Sequence, residues 1–75
     1  MITLDLTGLK CPLPVLRARK ALRAMAAGER LEVIATDPMS AIDIPNMVRE
    51  EGDSLLAQER EGERLVFRIE RTLAV

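Results

Sequence analysis

The apolar residues of this chain change their period within its first third, and that change decides the kind of fold open to it. Ile2, Leu4 and Leu6 alternate with Thr3, Asp5 and Thr7, the pattern of a half-buried strand over Ile2 to Leu6, and Gly8 ends it. From Pro12 onward Val15, Ala18, Leu22 and Met25 recur at helical spacing. Pro12 and Pro14 fit a first turn, where a missing N–H costs little, and Gly28 stops the helix. Leu31 to Thr36, with Val33 and Ile34 at its centre, reads as a second and more deeply buried strand. Asp37-Pro38 is a turn signal, and Ser40 followed by Asp43 resembles a capping box for a second helix ending at Gly52. Pro45 leaves two choices: Ser40 caps a helix kinked at Pro45, or Asp43 caps a shorter helix with Pro45 in its first turn. The second is preferred, because an interior proline removes a hydrogen bond. Leu55 to Glu61 and Arg64 to Glu70, joined at Glu61-Gly62-Glu63, form a hairpin.

The order β-α-β-α-β-β predicts an α/β (α+β) two-layer sandwich: a mixed four-stranded sheet with both helices on one face. Its first strand-helix-strand unit is expected to be parallel and right-handed, its closing pair antiparallel. At 75 residues the chain is read as a single domain, 1–75, with no repeat or linker. Ordering costs roughly 1.5 kcal/mol per residue, so such a domain keeps only a few kcal/mol of net stability. Phe67 is the only aromatic residue, so the core is aliphatic and base-stacking platforms are lacking. With a net charge of −1 and no basic groove, direct nucleic-acid binding is not expected. The start Met1-Ile2-Thr3-Leu4-Asp5 has no targeting pattern, and no apolar window reaches bilayer length. The expectation is a cytoplasmic protein that does not insert into membranes.

One cysteine and no histidine exclude a disulfide framework, a His/Cys zinc site and Cys-His or Ser-His catalysis. Chemistry must run through Cys11, through carboxylates or on a partner's residues. Asp37, Asp43, Glu50 and Glu51 are poorly spaced for a metal, and turn, cap and helix-end roles account for them; neither metal nor cofactor is expected. Cys11 lies between the strand-ending Gly8 and the helix opened by Pro12-Leu13-Pro14. A helix N-terminus is electropositive, Lys10 adds a charge, and together they are expected to lower the thiol pKa, with the two prolines fixing where the sulfur points. The competing reading is a small buried hydrophobe, a common fate of free cysteine. Periodicity does not separate the two.

Charge is unevenly distributed. Residues 1–28 hold five bases and one acid, and residues 29–75 six bases and eleven acids. Arg17, Arg19, Lys20 and Arg23 spread over the side of helix one opposite its apolar stripe, with Leu16 among them and Leu13 nearby. Bases alone would make an ordinary solvated face. Two leucines within it, beside a possible thiolate, favour a docking surface for an acidic partner.

The segment Gly8-Leu9-Lys10-Cys11-Pro12-Leu13-Pro14 resembles the TusA/SirA family of small sulfur-carrier proteins, marked by Cys-Pro-x-Pro opening the first helix. The resemblance covers nearly the whole chain, including Leu4-Asp5, Arg19-Lys20, Gly28-Glu29, Ala35-Thr36-Asp37-Pro38, Asp43-Ile44-Pro45 and the closing hairpin. It implies the same two-layer fold, a persulfide carried on Cys11, and docking of a cysteine desulfurase or another sulfur-transfer protein through Arg19, Arg23 and Asp37. Many members have Glu where this chain has Leu13, a departure that bears on the partner more than on the chemistry. The implied function is that of a sulfurtransferase acting as a persulfide carrier. It would accept sulfur from a desulfurase or other persulfide or thiosulfate donor and pass it to an acceptor protein in tRNA thiolation, cofactor synthesis or sulfur oxidation. The expected form is a monomer, docking through Leu13, Leu16, Arg19, Lys20, Arg23 and Asp37. The alternative is a non-catalytic regulatory or adaptor module using the basic face of helix one. A peroxide-sensing thiol is disfavoured by the lack of a resolving cysteine.

Overall fold

A computed structural model describes residues 1–72; the last three residues of the expected domain, 73–75, lie outside the described residues. The elements are β1 (Ile2–Leu6), α1 (Leu13–Arg23), β2 (Arg30–Ala35), α2 (Ser40–Glu50), β3 (Ser54–Glu61) and β4 (Arg64–Glu70). The sheet order is β1-β2-β4-β3, with β1 parallel to β2 and the other neighbours antiparallel, which is the mixed sheet expected from the sequence.

Alternation sets which face each strand buries. Leu65, Phe67 and Ile69 of β4 and Leu31 and Val33 of β2 point to the core, where they meet Ala18 and Leu22 of α1 and Ile44, Met47 and Val48 of α2. Both helices therefore cover one face. The other face carries cross-strand ion pairs: Arg30 with Glu70 at 3.1 Å and Arg68 with Glu32 at 3.2 Å in direct register, and Arg68 with Glu59 on the diagonal. Of the expected α1 stripe, Val15 is only half-buried, and Pro14 takes its place in the interior with Ala18 and Leu22. At the hairpin Gly62 adopts a φ of 63°, whereas Glu63 does not go positive. That sign pattern belongs to a type II′ turn, which needs glycine first.

Helix α2 corrects the preferred reading of its start. It begins at Ser40, with Met39 at the cap and Pro45 inside it, and neither Ser40 nor Asp43 makes a side-chain cap bond. The physical reason lies elsewhere in the chain. Pro45 has no N–H for the Ala41 carbonyl four residues back, and the side-chain amide of Gln58 on β3 donates to that carbonyl instead, at 3.4 Å. A contact from the hairpin thus offsets part of the proline's cost.

Because β1 and β2 run parallel, α1 and α2 both start at the same end of the sheet and run side by side. Cys11 meets Asp43 near their starts, and Arg23 meets Glu51 at their far ends. At that far end β1 begins and β4 finishes: Gly28 donates to the Arg71 carbonyl at 2.7 Å. Arg71 is also anchored by an ion pair at 2.8 Å to Asp53, whose side chain is fully buried.

Candidate functional site

Cys11 lies in the β1–α1 connection, just ahead of Pro12, which caps α1 without a side-chain bond; the Cys11–Pro12 peptide is cis. Its side chain is exposed, so the buried-hydrophobe alternative does not hold. The neighbouring β2–α2 connection holds it in place. Asp37 accepts the Cys11 N–H through Oδ2 at 2.5 Å and the Met39 N–H through Oδ1 at 3.2 Å, while Thr36 Oγ1 accepts the Gly8 N–H at 2.9 Å. One carboxylate therefore ties the cysteine loop to the start of α2. From the first turn of α2, Asp43 Oδ2 accepts the Cys11 S–H at 3.4 Å. The thiol opens onto a groove of about 330 Å³ lined by Pro12, Val15, Arg19, Asp43, Met47 and Glu50.

These contacts reverse the expected electrostatics. The thiol pKa is raised above its ordinary value, first by the hydrogen bond it donates to Asp43, then by partial desolvation and by the negative charges of Asp43 and Asp37. The expectation of a lowered value is overturned because the helix terminus has few free donors near the sulfur. Pro12 and Pro14 carry no N–H, that of Cys11 goes to Asp37, and that of Leu13 goes to the Lys10 carbonyl at 2.9 Å. A raised pKa keeps more of the thiol protonated at neutral pH than in an unperturbed cysteine.

Of the residues expected to position the thiol or dock a partner, Pro12 and Arg19 share the groove with Cys11. Lys10 lines a separate hollow with Gly8, Asp37, Pro38 and Glu63. Pro14 packs inward, and Leu13 and Leu16 stand exposed on the first turns of α1, at 42% and 47%. Lys20 is exposed. Arg23 lies about 15 Å along the helix from its start, by the rise per residue, and both ends of its guanidinium meet Glu51, at 2.8 and 3.0 Å. That pairing holds the Glu51 carboxyl below the usual range. Sequence reasoning gave Asp43 a cap and missed its contact with the thiol. The available signal was topological: helices that follow parallel neighbouring strands start side by side.

A family model described as Sulfurtransferase TusA matches residues 2–71. The chain belongs to the TusA family. The sulfur carrier protein TusA of Allochromatium vinosum is 45% identical to it over 69 residues, 92% of this chain and 91% of that protein. A Neisseria meningitidis serogroup A protein is 52% identical over 61 residues, covering 80% of this chain and 82% of its own length. The crystal structure of a SirA-like protein from Desulfitobacterium hafniense matches with a TM-score of 0.84 at 30% identity, covering 97% of this chain and 100% of that one. The TusA-family fold is thus the two-layer arrangement expected from the sequence. No helix among the described residues is long and apolar enough to cross a membrane.

Proposed function

We propose that the chain is a sulfur carrier that takes sulfane sulfur onto Cys11 as a persulfide and hands it to an acceptor protein. The observation that carries this reading is an exposed cysteine, the sole one of the chain, held by backbone and carboxylate contacts at the mouth of a groove. In loading, the Cys11 thiolate attacks the outer sulfur of a donor persulfide, R–S–SH. A bond forms between Sγ and that sulfur, the donor S–S bond breaks, and the donor leaves as a thiolate. In unloading, an acceptor thiolate attacks the same outer sulfur and Cys11 leaves as the thiolate. No histidine is required. The single cysteine also protects the cargo, since an adjacent second thiol would close a disulfide and release sulfide.

The donor is a cysteine desulfurase or another persulfide or thiosulfate-handling protein, and the acceptor serves tRNA thiolation, cofactor synthesis or sulfur oxidation. The cytoplasm, where thiols stay reduced, suits a carrier of this kind. The docking face comprises Leu13, Leu16, Arg19 and Lys20, with Asp37 acting from beneath by fixing the loop that presents the sulfur. Arg23 contributes through Glu51, by holding α1 against α2.

Intact mass spectrometry after incubation with a desulfurase and cysteine, with thiosulfate, or with polysulfide tests the reading. The expected result is a gain of one sulfur atom, removed by reductant. Unmodified protein with every donor would favour an adaptor instead. Docking is tested separately with Arg19→Glu, which is expected to slow loading from a protein donor roughly tenfold and loading from polysulfide, through added repulsion at the groove, much less. Equal slowing with both would locate the damage at the thiol. Arg23→Glu is a poor probe of docking, since it sets two carboxylates together where Glu51 now has its partner.

A further inference from the structure

We propose that Asp43 makes sulfur transfer at Cys11 conditional on a docked partner that brings a cationic group into the groove. The inference rests on the carrier reading above and names what kind of partner surface the site accepts. Two carboxylates flank the thiol: Asp43 on its side chain and Asp37 on its backbone. Five acids of the described residues pair with arginines, Glu51 with Arg23, Glu70 with Arg30, Glu32 and Glu59 with Arg68, and Asp53 with Arg71, but the two that touch Cys11 are not among them. Neither Asp37 nor Asp43 has a Lys or Arg within ion-pair distance among the described residues. The charged groups around the sulfur are Asp43 and Glu50 from α2, Asp37 from the β2–α2 connection and Arg19 from α1, with Lys10 facing another hollow.

The balance is negative and lies at the one reactive atom. In the free carrier Asp43 favours the protonated, unreactive thiol, and the negative surroundings repel anionic small molecules such as polysulfide. The persulfide load, itself readily ionised, meets the same repulsion. A partner side chain of Lys or Arg set against Asp43 would remove both effects: the thiol would ionise in the complex, and Cys11 would become a better leaving group for unloading. The thiol would then react chiefly where its partner is bound.

The test compares wild type, Asp43→Asn, Asp43→Glu and the remote control Glu61→Gln, each checked for folding by circular dichroism. Alkylation by neutral iodoacetamide across about pH 6 to 10 reads the thiol midpoint without any sulfur transfer. Asp43→Asn is expected to shift that midpoint downward. A shift of about one unit raises the thiolate fraction at pH 7 about tenfold, and the accompanying fall in nucleophilicity leaves a net acceleration of about threefold. Anionic iodoacetate and polysulfide loading should accelerate more than iodoacetamide, loading from a protein donor should slow because the partner's cation loses its counter-charge, and Asp43→Glu should resemble wild type. An unchanged or higher midpoint in Asp43→Asn overturns the proposal, as does an equal shift in Glu61→Gln. So does an acceleration from the protein donor as large as that from polysulfide, because docking would then not relieve Asp43. Wild-type protein that takes sulfur from no donor sinks the carrier reading, while the alkylation midpoints still report on Asp43.

Discussion

Cys11→Ser is expected to take no sulfur from any donor, protein or small molecule, while folding as stably as the wild type. The change swaps one atom on an exposed side chain that packs against nothing in the core. The effect on stability should therefore stay within about 0.5 kcal/mol, the usual range for surface substitutions. The effect on function is total. A hydroxyl does not form the sulfur–sulfur bond that carries the cargo, and the chain has no histidine to activate it. Intact mass after exposure to each donor, alongside a thermal melt, measures both halves. A reductant-sensitive load retained by Cys11→Ser would mean that sulfur is held elsewhere, and a large loss of stability would mean that the thiol supports the fold.

Phe67→Ala is expected to lose about 3 to 5 kcal/mol, the range for emptying a buried aromatic site. Phe67 is fully buried on the inner strand β4, facing Val33 of β2 and Gln58 of β3 across the ladder, and it is the only aromatic residue in the chain. A domain of this size has only a few kcal/mol of net stability to lose. The variant should be largely unfolded at 37 °C and should show an early midpoint, or none, in urea monitored by circular dichroism. Phe67→Leu, which keeps most of the apolar volume, should lose substantially less. A midpoint close to wild type in Phe67→Ala would show that the helices close over the gap, and would place the stability of the sandwich elsewhere.

How legible the molecule was in its sequence depended on how far apart the interacting residues lie. β1 and β4 fall where alternation puts them, β2 is shifted by one residue at each end and β3 begins one residue early, because strand period is a property of adjacent residues. The start of α2 was misplaced because the group that serves the carbonyl above Pro45 belongs to Gln58, on another element. The cysteine was found, since Cys-Pro-Leu-Pro is local, but its electrostatics were not. A helix terminus acts through α1 alone, while the carboxylates that outweigh it come from positions 37 and 43 on the next connection and helix. Arg23 shows the same limit: it counted as a free base on a helix face until Glu51, 28 residues on, engaged it.

The opposed placement of the sulfur and the first and last described residues has a practical consequence. Met1 and Thr72 lie where β1 begins and β4 finishes, across the sheet's length from Cys11. An affinity handle, a fluorophore or a second protein fused at Met1 would be tethered away from the reacting atom. The molecule can therefore be immobilised by that residue on a sensor surface with its working end facing the solution, which suits it to direct measurement of donor and acceptor binding.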